Sequence, residues 1–216
     1  MSTRVLTRMS GVCMLIGSIL AFAGERMSYD YAQPTQNAYQ SVFYVPGKTL
    51  VFVGVVLVLM GLPALWGYLA PKTKVLGPLA VFLTFYGLTT PLTAFPLQLF
   101  LRALSAHPEV QATITAVAKT DYLSGIYLLL GNLVLILGVL LLGIALVRTR
   151  VLPLGIGILF IIAALVKIPD IAVPSLTLFA DLFFIIALFA GFGWTSYWLV
   201  RQGSRQEQSQ QEVART

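Results

Sequence analysis

The sequence is short of charge, and of acid above all: 8 Asp+Glu and 14 Lys+Arg make up 10% of its 216 residues. A soluble domain carries about 25% charged residues, so too few are present to coat a water-exposed surface. Cysteine and histidine are scarcer still, with Cys13 and His107 the sole examples. One cysteine excludes a disulfide framework and a cysteine-rich metal centre. One histidine excludes a bis-histidine haem and a His-rich zinc site, so neither a metal nor a cofactor is expected. Also missing are a Walker A loop, His-Glu-x-x-His, Gly-x-Ser-x-Gly, paired intramembrane acids and an aspartate-rich prenyl-diphosphate motif. Their absence argues against a conventional hydrolase or prenyltransferase. What is present in excess is apolar, at 58% hydrophobic residues and a mean hydropathy of +0.88. This is the composition of an integral membrane protein.

Each unpaired polar group costs several kcal/mol in hydrocarbon, and a helical span needs about 20 apolar residues. Read for apolar runs between charged segments, the chain contains six: residues 5–23, interrupted by Arg8, 50–69, 75–101, 122–147, 151–166, and 171–200, interrupted by Asp181. The expected fold is therefore all-α, a polytopic transmembrane bundle of six spans occupying residues 1–200. Residues 201–216, rich in Gln and charge with no apolar pattern, are expected to form a disordered cytoplasmic tail. The third run is 27 residues, roughly 40 Å as helix against a hydrocarbon core of about 30 Å. Pro91 and Pro96 are expected to kink it or end it early.

The few charges give an orientation. Arg4, Arg8, Lys72, Lys74, Arg148, Arg150, Arg201, Arg205 and Arg215 fall on one side, and Arg26, Lys48, Arg102, Lys119 and Lys167 on the other. The positive-inside rule places the first side, with both termini, in the cytoplasm. Glu25, Asp30, Glu109, Asp121 and Asp170 all fall on the outer side and neutralise its cations. Trp66, Tyr68, Trp194, Tyr197 and Trp198 gather at the inner interface, as an aromatic belt does. This asymmetry accounts for the net charge of +6 and a pI near 9.6, so nucleic acid is not an expected partner. Arg4, Arg8, the apolar stretch Gly11–Ala23 and the small residues Ala21 and Ala23 also imitate a cleavable signal peptide. An uncleaved signal-anchor is the preferred reading, with Glu25 and Arg26 as its solvated outer flank.

Spans two and four share more than hydrophobicity. Gly54 and Gly61 match Gly131 and Gly138, each pair seven apart. Basic turns follow, Lys72-Thr73-Lys74-Val75-Leu76 and Arg148-Thr149-Arg150-Val151-Leu152, and then proline pairs, Pro91/Pro96 and Pro169/Pro174. The pattern predicts a parallel duplication of a helical hairpin, spans two and three repeated as spans four and five. Glycines seven apart share a helix face and admit a close backbone approach, so both pairs are expected at helix contacts, including contacts with each other.

Polar side chains inside the spans concentrate toward the outer side: Thr93, Gln98, Tyr127, Asn132, Asp181, and Lys167 with Asp170 at the rim. A cavity is expected to open outward. Asp181 is the most informative residue, because an intramembrane carboxylate is costly and implies a function or a partner. Candidate partners are Lys167, Arg26 and Asn132, with Asp170 in the same rim cluster. Burial without a cation favours the neutral acid, a proton donor, whereas pairing with Lys167 favours the carboxylate. Between the spans, residues 24–47 form an aromatic loop and residues 108–119 read as an interfacial helix with His107 at its start.

Spans four and five, with Gly131 to Gly143, the basic turn, and the start Val151-Leu152-Pro153-Leu154-Gly155, resemble a pattern common in small bacterial membrane proteins of unknown function. The resemblance covers only part of the chain. It implies a bacterial plasma-membrane location and about six spans, and brings no functional residues with it. Taken together, the sequence points to a non-enzymatic protein that binds or transports a small or lipophilic ligand, with Asp181, Asn132, Tyr127 and Thr93 as ligand contacts. A membrane-embedded acid-base enzyme of cyclase or isomerase type, with Asp181 as its catalytic proton donor, remains an alternative. So does an accessory subunit whose glycine faces pack on another membrane protein; membrane lipid is a partner in every case.

Overall fold

The computed structural model describes residues 3–28, 41–105, 107, 122–169 and 177–213. They form six helices: α1 (Thr3–Ser28), α2 (Tyr44–Thr73), α3 (Leu76–Ser105), α4 (Tyr122–Thr149), α5 (Leu154–Lys167) and α6 (Thr177–Val213). No strand occurs among the described residues. Five helices are long and apolar enough to cross a membrane, and α5, at 14 residues, is the shorter exception. Asp170, Pro174 and the interfacial helix expected over 108–119 lie outside the described residues.

Each helix packs antiparallel on the next, and α1 closes the set against α6, giving a ring in chain order. A smaller contact between α2 and α4 crosses its middle. Large apolar side chains face outward on every helix, among them Ile16, Met60, Phe82, Leu130 and Phe179. On α5 the two faces separate cleanly. Leu154, Ile158, Ile162 and Leu165 are exposed, while Ile156, Gly157, Phe160, Ala163 and Ala164 are buried. That division follows the helical period, and the outward stripe suits a hydrocarbon surrounding better than water.

Toward the basic turns the axis of the ring is filled. Val58, Leu62, Leu65, Val139, Leu142, Phe160 and Phe192 are all fully buried there, and the rings of Phe160 and Phe192 lie 5.2 Å apart. Buried hydroxyls in this packing turn back on their own helices. Thr84 donates to the Ala80 carbonyl at 2.8 Å, Thr195 to Gly191 at 2.8 Å, and Ser196 to Phe192 at 2.6 Å. These three donors are met within their own helices.

The glycines set how close the helices come. A Cβ built on Gly17 would lie 2.5 Å from the Gly54 carbonyl oxygen, and one on Gly138 would lie 2.5 Å from the Thr84 amide nitrogen. Gly54 and Gly61 thus pack on α1, and Gly131 and Gly138 on α3. The two pairs do sit at helix contacts, but each faces its preceding helix and not the other pair.

Two helix ends lie beyond where the sequence reading put them. The helix of α3 runs through Pro91 and Pro96 to Ser105 and is not ended by them. Each proline removes a single rung of the ladder, and packing against α2 and α4 holds the rest in place. The helix of α6 likewise continues to Val213, through the stretch expected to be disordered. Gln, Arg and Glu are good helix formers, and extending an existing helix avoids the cost of nucleating one.

Candidate functional site

Away from the basic turns the axis of the ring is open, and a cavity of about 230 Å³ lies there with residues from all six helices in its wall. That volume is many times what one water needs. Its deeper wall is apolar, including Val55, Leu88, Leu135, Phe184 and Phe189. Its polar contributors are Glu25 from α1, Thr90 from α3, Asn132 from α4, Lys167 from α5 and Asp181 from α6.

Lys167 donates from Nζ to Asp181 Oδ1, the pairing that the sequence had offered among three. The lysine side chain keeps 12% exposure and the aspartate 39%, and both border the cavity. Local structure brings the two together. At 14 residues α5 is roughly 21 Å long at 1.5 Å per residue, short of a hydrocarbon core of about 30 Å, and Lys167 is its last residue. Asp181 is the fifth residue of α6. A cation in the last turn of a helix, as Lys167 is, is favoured by the macrodipole.

The second ion pair was missed by sequence reading. Lys48 Nζ lies 3.2 Å from Glu25 Oε2 and 3.3 Å from Oε1, with side-chain exposures of 18% and 21% for lysine and glutamate. Glu25 and Arg26 had been taken together as a solvated flank beyond span one. In the structure α1 continues to Ser28 and α2 starts at Tyr44, so Glu25 and Lys48 both stand on helices. An apolar run marks the extent of hydrocarbon-compatible surface, not the end of the helix. The signal that could have found the pair is the glycine beside each member. A Cβ on Gly24 would strike the Gly47 carbonyl oxygen and come within 2.6 Å of the Val51 amide nitrogen, and this approach sets Glu25 opposite Lys48. Glu25 also borders a smaller adjoining cavity of about 40 Å³ with Lys48, Phe52, Phe95 and Gln98.

The remaining expected contacts divide. Asn132 is in the cavity wall and makes no hydrogen bond with the described residues. Thr93 and Tyr127 bond each other at 2.8 Å on exposed surface and do not line the cavity. Arg26 is exposed, with its guanidinium over the Phe22 ring at 5.7 Å, and is not beside Asp181. An exposed hydrogen bond of this kind contributes about 1 kcal/mol or less. Tyr127→Phe is therefore expected to shift the thermal midpoint by no more than a few degrees and to leave cavity occupancy unchanged, as measured by unfolding in detergent and by native mass spectrometry.

The chain is thus all-helical, with five helices long and apolar enough to cross a membrane and a charged, half-apolar cavity on its axis. Compared with protein-family models, with curated proteins and with solved structures, it matches none.

Proposed function

We propose that the chain is a multi-pass protein of a bacterial-type plasma membrane, oriented with both termini in the cytoplasm, that binds or transports a small amphiphilic ligand in the axial cavity. The observation that carries this reading is the cavity's wall, to which all six helices contribute and in which polar groups meet an apolar base. Ligand sites are typically concave and mostly apolar, with a few polar groups that fix orientation. The carboxylate of Asp181 and the free amide of Asn132 supply an acceptor and a mixed donor-acceptor for a polar head, and Leu88, Leu135 and Phe189 supply surface for an apolar tail. With the cytoplasmic side assigned to the basic turns, the cavity opens outward.

Both acids in the cavity wall, Glu25 and Asp181, are paired with lysines. The repeated hairpin is supported by the two basic turns, which share a backbone and a side-chain bond. Lys74 and Arg150 are the only non-glycine residues with positive φ among those described, at 51° and 50°. Thr73 and Thr149, each one residue earlier, donate to the carbonyls of Leu69 and Ala145 at 2.8 and 2.7 Å.

Filling the cavity tests the reading. Protein purified in mild detergent is compared with an Ala94→Phe variant, whose ring would occupy the cavity, by mass spectrometry of co-purifying small molecules. A molecule present with the original protein and depleted at least tenfold in the folded variant is the expected outcome. Equal recovery from both proteins, or no bound molecule in either, would sink the proposal.

A further inference from the structure

The basic turns enclose a second space, at the end of the bundle remote from the axial cavity. It is a cleft of about 550 Å³ lined by Lys72, Thr73, Lys74 and Leu76 of the α2–α3 turn and by Arg148 and Thr149 at the end of α4. Three cations converge on it and no carboxylate does. The sequence has no acid between Asp30 and Glu109 or between Asp121 and Asp170, so neither turn carries an internal counter-charge. Lys72, Lys74 and Arg148 are exposed and form no ion pair with the described residues.

The threonines of the cleft do not compete for a ligand. Thr73 and Thr149 spend their hydroxyl protons on helix carbonyls, and Thr73 Oγ1 also accepts the Gly77 amide at 2.9 Å, which fixes the start of α3. What the cleft offers is therefore cationic charge. Its backbone shows that this charge is kept at a cost. Lys74 sits at φ 51° and ψ −81° and Arg150 at φ 50°, in the region where glycine is the favoured residue. Glycine there would relieve the backbone, yet both turns carry a cation.

Surroundings of the cleft are those of a headgroup region. Val75, in the turn before α3, is 72% exposed, and Leu79, on its first turn, 43%, a surface along which an acyl chain fits. Trp66, Trp194 and Tyr197 are exposed toward the same end, where amphipathic rings mark headgroup depth. Basic pockets between helices at a cytoplasmic interface hold anionic lipid headgroups by their phosphates. We propose that this cleft is a binding site for the phosphate of an anionic phospholipid, seated between Lys72, Lys74 and Arg148. The proposal needs the chain to span a membrane but is independent of what the axial cavity holds.

The test is a lipid titration read by native mass spectrometry of the full-length protein in detergent, with phosphatidylglycerol against phosphatidylcholine. The protein is expected to retain phosphatidylglycerol preferentially, and the preference to fall about fivefold for each cation removed in the series Lys74→Gly, Lys72→Gln/Lys74→Gly and Lys72→Gln/Lys74→Gly/Arg148→Gln. Lys74→Gly is the decisive member, because it is expected to raise the thermal midpoint by relieving the backbone while weakening the lipid, and it remains informative if the triple variant fails to fold. Unchanged preference in Lys74→Gly overturns the site. So does equal binding of the two lipids by the original protein. A third arm adds inorganic phosphate at millimolar concentration: no displacement of phosphatidylglycerol is expected, and full displacement would assign the cleft to a free anion and overturn the lipid.

Discussion

Lys167→Met alone is expected to lower the thermal midpoint of the detergent-solubilised protein by about 10 °C, and Lys167→Met combined with Asp181→Leu to restore most of that loss. Removing one member of a buried ion pair typically costs about 3–5 kcal/mol, because an uncompensated charge is left behind. The lower end applies here, since the pair is only part-buried and the Asp181 side chain keeps 39% exposure. At about 2–4 °C per kcal/mol for a chain of this size, some 3 kcal/mol gives the stated shift. Replacing both members by apolar groups removes the charge and its partner together, which is often neutral or stabilising.

The double variant also separates structure from function. If the pair exists only to fasten α5 to α6, the apolar replacement folds and its cavity still holds whatever the original protein holds. If Asp181 receives the polar end of a ligand, the replacement folds but loses the co-purifying molecule. A cycle of both single variants and the double, measured by thermal unfolding and by mass spectrometry of bound small molecules, decides between them. A double variant no more stable than Lys167→Met would overturn the assignment of the pair as mutually compensating.

The fold was legible where the sequence obeys one rule at a time. Apolar runs between charged segments mark six helices because polar groups are costly in hydrocarbon, and the short fifth run marks the helix whose end carries Lys167. Legibility failed at the ends of helices. Glu25 and Lys48 lie outside the apolar runs, and no periodicity says that α1 and α2 extend far enough to bring them together. Thr93 and Tyr127 lie on exposed surface, and position along the chain does not reveal which face of α3 or α4 turns inward when nearly every position is apolar. Asn132 and Asp181, at comparable depth, line the cavity because their helices happen to turn those faces to the axis. Arg26 adjoins Glu25 in sequence but is rotated by about 100° around α1, which is enough to put it on exposed surface.

Glycine substitutions on α2 should show the largest spread of effects for the smallest chemical change. Gly54→Ala is expected to cost about 3 kcal/mol or more, and Gly67→Ala to gain up to about 1 kcal/mol. Alanine is the better helix former at both positions, so propensity alone predicts two gains. Contact geometry reverses one of them. A Cβ at Gly54 would meet the Ala21 amide nitrogen and lie 2.6 Å from the Gly17 carbonyl oxygen and 2.8 Å from the Ala21 Cα, whereas one at Gly67 meets nothing within 4 Å. The atoms in the way at Gly54 are backbone, which no rotamer change can move, so α1 and α2 have to separate. Separation loosens the contact at Gly24 and Gly47 as well, and with it the setting of Glu25 against Lys48. Gly17→Ala should accordingly add little on top of Gly54→Ala, because both force the same displacement and their costs are not independent. Unfolding of the original protein, Gly54→Ala, Gly67→Ala, Gly17→Ala and the Gly17→Ala/Gly54→Ala double in a denaturing detergent titration measures each term. A stable Gly54→Ala variant would mean that α1 is not held against α2 by this seam, and the ring would lose the contact that places Glu25 on the cavity.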